Sequence, residues 1–111
     1  MLRKTELLRE ISRFPYPAFE ILKGALDRRS LINVSEHSLD RRVFWADSEI
    51  SFAGVDDFSI LGSVYFLHAN SFIDLVYQRS ISVYAISEKG AALLFDIDRF
   101  KINVPLKRPS D

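Results

Sequence analysis

The chain has 111 residues, the size of one domain, and its 48% hydrophobic and 27% charged content excludes a disordered polymer. Fifteen Lys and Arg balance fifteen Asp and Glu, so no overall field draws the protein to nucleic acid or to an anionic membrane. The absence of cysteine excludes disulfides, thiolate metal sites and thiol nucleophiles, and it fits a reducing compartment.

The opening MLRKTELLREISRF mixes charges with its apolar residues, unlike a signal peptide. No apolar stretch nears the roughly 20 residues that span a bilayer, so the expectation is a cytoplasmic protein without membrane contact. Leu7, Leu8, Ile11 and Phe14 recur at helical spacing until Pro15 and Pro17 stop the first helix. Pro17 suits the first turn of a second helix, whose stripe is Phe19, Leu22 and Leu26, backed by Ala18, Ile21 and Ala25. Gly24 weakens that helix by about 1 kcal/mol relative to Ala. Asp27 to Ser30 reads as a solvated exit, followed by the short apolar stretch Leu31, Ile32 and Val34.

From Ser35 to Ala53 the pattern is ambiguous, because Leu39, Val43 and Phe44 permit a helix while Val43, Phe44 and Trp45 also suit a strand; a short helix is the favoured reading. Asp56 or Asp57 can cap the next helix, with Ile60, Leu61, Val64, Leu67 and His68 on one face and Asn70 as a left-handed stop. Phe72 to Tyr77 and Ile81 to Ile86 are β-rich segments around the polar Gln78, Arg79 and Ser80, the pattern of a hairpin. Ser87 is placed to cap a helix running through Ala91, Ala92, Leu93, Leu94 and Ile97, with Gly90 admitting a close neighbour. Phe100, Ile102, Val104 and Leu106 alternate as in an edge strand, to which Pro105 and Pro109 would confine them. One domain over residues 1–104 is expected, with a frayed tail at 105–111.

Helix, hairpin and a helix entered through Tyr84-Ala85-Ile86-Ser87-Glu88-Lys89-Gly90-Ala91-Ala92-Leu93-Leu94 resemble the C-terminal half of winged-helix domains, over residues 57–97. Many winged-helix regulators have a similar Tyr-x-Leu-Thr-x-x-Gly-x-x-Leu-Leu run where the second wing strand turns into the closing helix. The resemblance implies an α+β fold, a small winged-helix-like domain of N-terminal helices, a β-hairpin and a closing helix. It makes Asp57 to Ala69 the counterpart of the recognition helix and Gln78 to Ser80 that of the wing tip. Such domains usually lay the recognition helix in the major groove of DNA.

The charges disagree with that use. Between Arg42 and Arg79 only His68 could carry positive charge, while Asp47, Glu49, Asp56, Asp57 and Asp74 are acidic. Phosphates would be repelled there and counterion release forfeited. The exposed face of the helix is read as Ser59, Gly62 and Ser63, with Tyr65 either exposed or in the core and Phe66 in the core. Basic residues gather before residue 43, nine of them against six acidic ones, although pairs such as Glu6 with Arg9 and Glu10 with Arg13 would neutralise part of that charge.

His37 and His68 fit no metal-binding spacing; His37 reads as a loop or capping residue and His68 as a buried imidazole. The pair Asp56 and Asp57 reads as a helix cap, and Asp96 with Asp98 as surface charge. The four glycines are too scattered for a phosphate loop, and no local motif equips a serine nucleophile. The expectation is a non-enzymatic module without metal or cofactor. It acts through a protein partner or self-association, as a homodimer for example, with Phe44, Trp45, Ser59 and Tyr65 as candidate interface residues and core packing as the other reading of Phe44 and Trp45. The alternative is a DNA-binding transcriptional regulator that uses Arg28, Arg29, Arg41, Arg42 and Arg79.

Overall fold

The computed structural model describes residues 3–36 and 41–104. Within them the chain runs α1 (Lys4–Ser12), α2 (Ala18–Arg28), β1 (Ile32–Ser35), β2 (Val43–Phe44), α3 (Asp57–Ala69), β3 (Ile73–Gln78), β4 (Ile81–Ile86) and α4 (Glu88–Arg99). This is the expected α+β layout of N-terminal helices, a hairpin and a closing helix.

The prolines act as the sequence implies. α1 buries Leu7 and Ile11 and ends before Pro15, and Pro17 stands at the N-cap of α2, which buries Ala18, Ile21, Leu22 and Ala25. Gly24 has a packing role that the sequence hid: a Cβ there would lie 2.7 Å from Cζ2 of Trp45, so the missing side chain lets the indole lie against α2. Asp56 caps α3 by accepting from the Ser59 amide at 2.7 Å. Ser87 caps α4 by accepting from the Gly90 amide at 3.0 Å, and its hydroxyl donates to the Ser71 carbonyl at 2.6 Å.

The strands form one sheet in the order β2-β1-β4-β3, with antiparallel pairs throughout. Ile32 stands opposite Tyr84 and Val34 opposite Ser82, on the face that α3 covers through the edge-on contact of His68 with Tyr84 at 5.2 Å between ring centres. The other face carries a straight row across all four strands: Phe44, Asn33, Val83 and Tyr77. Val83 is buried yet stands apart from the main core cluster of Leu7, Ile21, Leu22, Ile32, Val64, Phe72 and their neighbours.

Three expectations are corrected. No helix occupies the described part of 35–53: Val43 and Phe44 pair with Val34 and Asn33, and a tight turn follows in which Trp45 donates to the Ser48 carbonyl at 2.7 Å and Ile50 to that of Val43 at 2.8 Å. The free side of β1 needed a partner, and β-branched and aromatic side chains supplied it. The left-handed residue after α3 is Ser71 (φ 65°), not Asn70, whose Nδ2 donates to the Phe66 carbonyl. Ser71 and Phe72 donate to the carbonyls of His68 and Leu67, the paired bonds of a Schellman turn. The same turn, centred on Lys101 (φ 54°), ends α4, so residues 100–104 form no strand; Phe100, Ile102 and Val104 fold back onto the core instead. His37 and the expected tail at 105–111 lie outside the described residues.

Candidate functional site

Between the exposed Asp57 of its first turn and the exposed His68 of its last, α3 is apolar round most of its circumference, with Ser59 and Ser63 as exceptions. Its inner face buries Ile60, Ser63, Val64 and Leu67, and Leu61 beside them is 8% exposed. The opposite face carries Phe58, Gly62, Tyr65 and Ala69, spaced four, three and four residues apart and therefore stacked in one stripe. All four are exposed, Phe58 at 86% and Tyr65 at 42%, and nothing stands within 4 Å of the Cβ position of Gly62. A helix this apolar belongs in an interior, yet this one has its outer side in water. The ends of the stripe differ in charge. Asp56 and Asp57 stand at its N-terminal end, whereas the Arg41 guanidinium donates to the Tyr65 hydroxyl at 3.3 Å towards the other.

A polar group lies between α3 and the sheet. The Ser82 hydroxyl donates to the Glu36 carboxylate, and the Tyr84 ring lies beside His68. Burial pushes the Tyr84 hydroxyl pKa above its usual 10.0, and the neighbouring Tyr65 and Glu36 push it further, against the hydrogen bond with Ser82. Burial leads because Tyr84 is only 5% exposed, which disfavours the phenolate.

The sequence-derived site residues are scattered. Trp45 is 7% exposed, with the Arg28 guanidinium 5.3 Å from its ring centre, so it is a core side chain and not an exposed anchor. Phe44 is half-buried on the outer face of the sheet, and Ser59 is half-buried in the first turn of α3. Tyr65 is exposed, and Phe66 packs against Phe14 with ring centres 5.0 Å apart, as expected of a core residue. Ser63 is buried, not exposed, because its hydroxyl donates to the Ser59 carbonyl at 2.8 Å and needs no water. His68 is exposed, not buried. Phe58, the most exposed large apolar side chain described, was not singled out from the sequence.

The five candidate DNA-binding arginines fall in separate places. Arg28 pairs with Asp47 at 3.7 Å and Arg42 with Glu49 at 3.3 Å, while Arg41 is engaged by Tyr65. Arg29 occupies the left-handed cap of α2 (φ 50°), and Arg79 sits at the exposed tip of the hairpin. Arg28, Arg29, Phe44 and Trp45 line one shallow groove, but Asp47 and Glu49 line it too. A second apolar exposure, Leu75, Val76 and Tyr77 on the edge strand β3, is interrupted by a bulge that blunts strand addition.

No group of three or more metal-ligating side chains occurs among the described residues, and no described helix is long and apolar enough to cross a membrane. No family model matches the chain, and no curated protein or solved structure matches it.

Proposed function

We propose that the chain is a small non-enzymatic regulatory or adaptor module of the cytoplasm that binds another polypeptide through the outer face of α3. The observation that carries this reading is the exposed stripe Phe58, Gly62, Tyr65 and Ala69 on a helix whose inner face is already buried in the core. Burying exposed aromatic side chains releases ordered water and provides the anchor residues typical of protein interfaces.

The order of helix, hairpin and closing helix supports a winged-helix relationship, in which α3 corresponds to the groove-reading helix. Its outer face carries no cation of its own, however, and Asp56 and Asp57 mark its leading end. Presented to phosphate, that surface would be repelled, and Arg28 and Arg42 would have to leave Asp47 and Glu49 to help. A polypeptide is the better complement.

The test compares wild type with Phe58→Asp, a change at a position exposed enough to leave the fold intact. Each protein is immobilised and exposed to a nuclease-treated extract of the source cells at low and high salt, and each is titrated against duplex DNA under the same conditions. The expected result is a polypeptide, whether a different protein or the same chain, held by wild type at both salt concentrations and lost by the variant. Equal retention by both proteins, or capture of duplex that collapses with salt and ignores Phe58, overturns the reading.

A further inference from the structure

We propose that the partner of the α3 face is a second copy of this chain, packed with its own α3 antiparallel across a two-fold axis near Gly62. The inference rests on the assignment of α3 as the interface and adds the identity of the occupant.

The face is complementary to itself. Phe58 and Tyr65 lie symmetrically about the junction of Leu61 and Gly62, about 10 Å apart along the helix at 1.5 Å per residue. Turning a copy end for end about that point sets Phe58 of each chain against Tyr65 of the other, two equivalent contacts of the kind an isologous interface requires. At the centre Gly62 presents no side chain and has open space around it, so the two helix backbones can approach closely.

The charges agree with the same operation. Asp56 and Asp57 lie at one end of the stripe and Arg41, bound to the Tyr65 hydroxyl, lies towards the other. The antiparallel arrangement brings the acidic end of each copy to the basic end of its partner, twice over, whereas a parallel pair would set acid against acid. Because the whole chain has no net charge, no general repulsion opposes association of two copies.

Charge reversal gives a test that local unfolding cannot imitate. Sedimentation at tens of micromolar should find wild type as a dimer, and Asp57→Lys and Arg41→Asp each weakened at least tenfold in self-association. Mixing the two variants should restore a dimer, because in the mixed pair both contacts are attractive again. Circular dichroism of each variant verifies the fold. The chain has no cysteine, so Gly62→Cys supplies a single thiol; mild oxidation should link it into a covalent dimer, while Ala92→Cys on the exposed side of α4 should stay unlinked. A wild-type monomer at these concentrations refutes the second copy, as do a mixture no more associated than its components and equal linkage of the two thiol variants. If wild type is a monomer, the interface assignment is still judged by whether Phe58→Asp loses a different polypeptide that wild type retains from the extract.

Discussion

Two glycines of this fold should respond to the same substitution with opposite signs. In Gly90→Ala the new methyl would sit 2.2 Å from the Phe72 carbonyl oxygen, 3.1 Å from Ile86 Cγ1 and 3.2 Å from Leu22 Cδ1. A carbon-to-oxygen contact is comfortable at about 3.3 Å, so α4 and the chain at Phe72 must part by about 1 Å. That same carbonyl accepts from the Ser87 amide at 3.1 Å, a bond that fixes the entry into α4. Overpacking costs about 1–3 kcal/mol and the weakened buried bond about 1–3 more, against a gain of about 1 kcal/mol from replacing glycine within a helix. The net loss should be about 1–5 kcal/mol, a fall in Tm of about 4 °C at the least and well over 10 °C at the upper end. Gly62→Ala meets nothing within 4 Å and should gain about 1 kcal/mol in dilute solution. Urea titrations of both variants beside wild type measure the two effects. A Gly90→Ala protein as stable as wild type, or both variants shifting in the same direction, would refute the packing argument.

Other expectations follow from individual side chains. Trp45→Ala should destabilise by about 3–5 kcal/mol, and the emission of this sole tryptophan should be blue-shifted in the native state and move red on unfolding; a red native spectrum would contradict its burial. Ser87→Ala removes the cap of α4 and the bond to Ser71, and should cost about 1–2 kcal/mol in thermal or urea unfolding; a neutral result would show that water replaces both. The Tyr84 hydroxyl pKa is raised in the folded chain, so above about pH 10 the unfolded state sheds this proton first and stability falls as pH rises. Tyr84→Phe should flatten that alkaline fall in a series of melts between pH 8 and pH 11, on the order of the tyrosine range. An unchanged slope would mean that Tyr84 ionises as freely folded as unfolded.

Much of the fold was legible because local chemistry and tertiary packing agreed. Pro15 and Pro17 separate the first two helices, Asp56 and Ser87 cap the later ones, and the Gln78-Arg79-Ser80 junction turns a hairpin. The failures arose where the deciding partner was remote in sequence or the signal residue was atypical. Val43 and Phe44 become a strand only because β1 offers an open edge eight or more residues upstream, which no local window contains. Helices α2, α3 and α4 end on Arg29, Ser71 and Lys101 in left-handed geometry, where glycine would have announced the stop. The edge strand expected after α4 failed for this reason: an unannounced turn redirects Ile102 and Val104 onto the core.

The candidate site was half legible, and the missing half follows from how a helix face is defined. Tyr65 could be named from sequence, but a helix apolar round most of its circumference gives its periodicity no direction, so either side could face the core. Burial of Ile60, Val64 and Leu67 removes that ambiguity and puts Phe58, Gly62, Tyr65 and Ala69 outside. Trp45 misled in the opposite sense, since a large aromatic in an uncertain segment resembles an anchor until Gly24 is seen to open a place for it on α2. The acidic segment 43–78 then has a consistent account. Asp47 and Glu49 engage arginines, Asp56 caps a helix, Asp74 lies exposed on the edge strand β3, and Asp57 is left at the end of an apolar stripe whose far end holds Arg41. Such a surface has the wrong sign for phosphate, and its two unlike ends are the basis for the proposed pairing with an oppositely ordered copy.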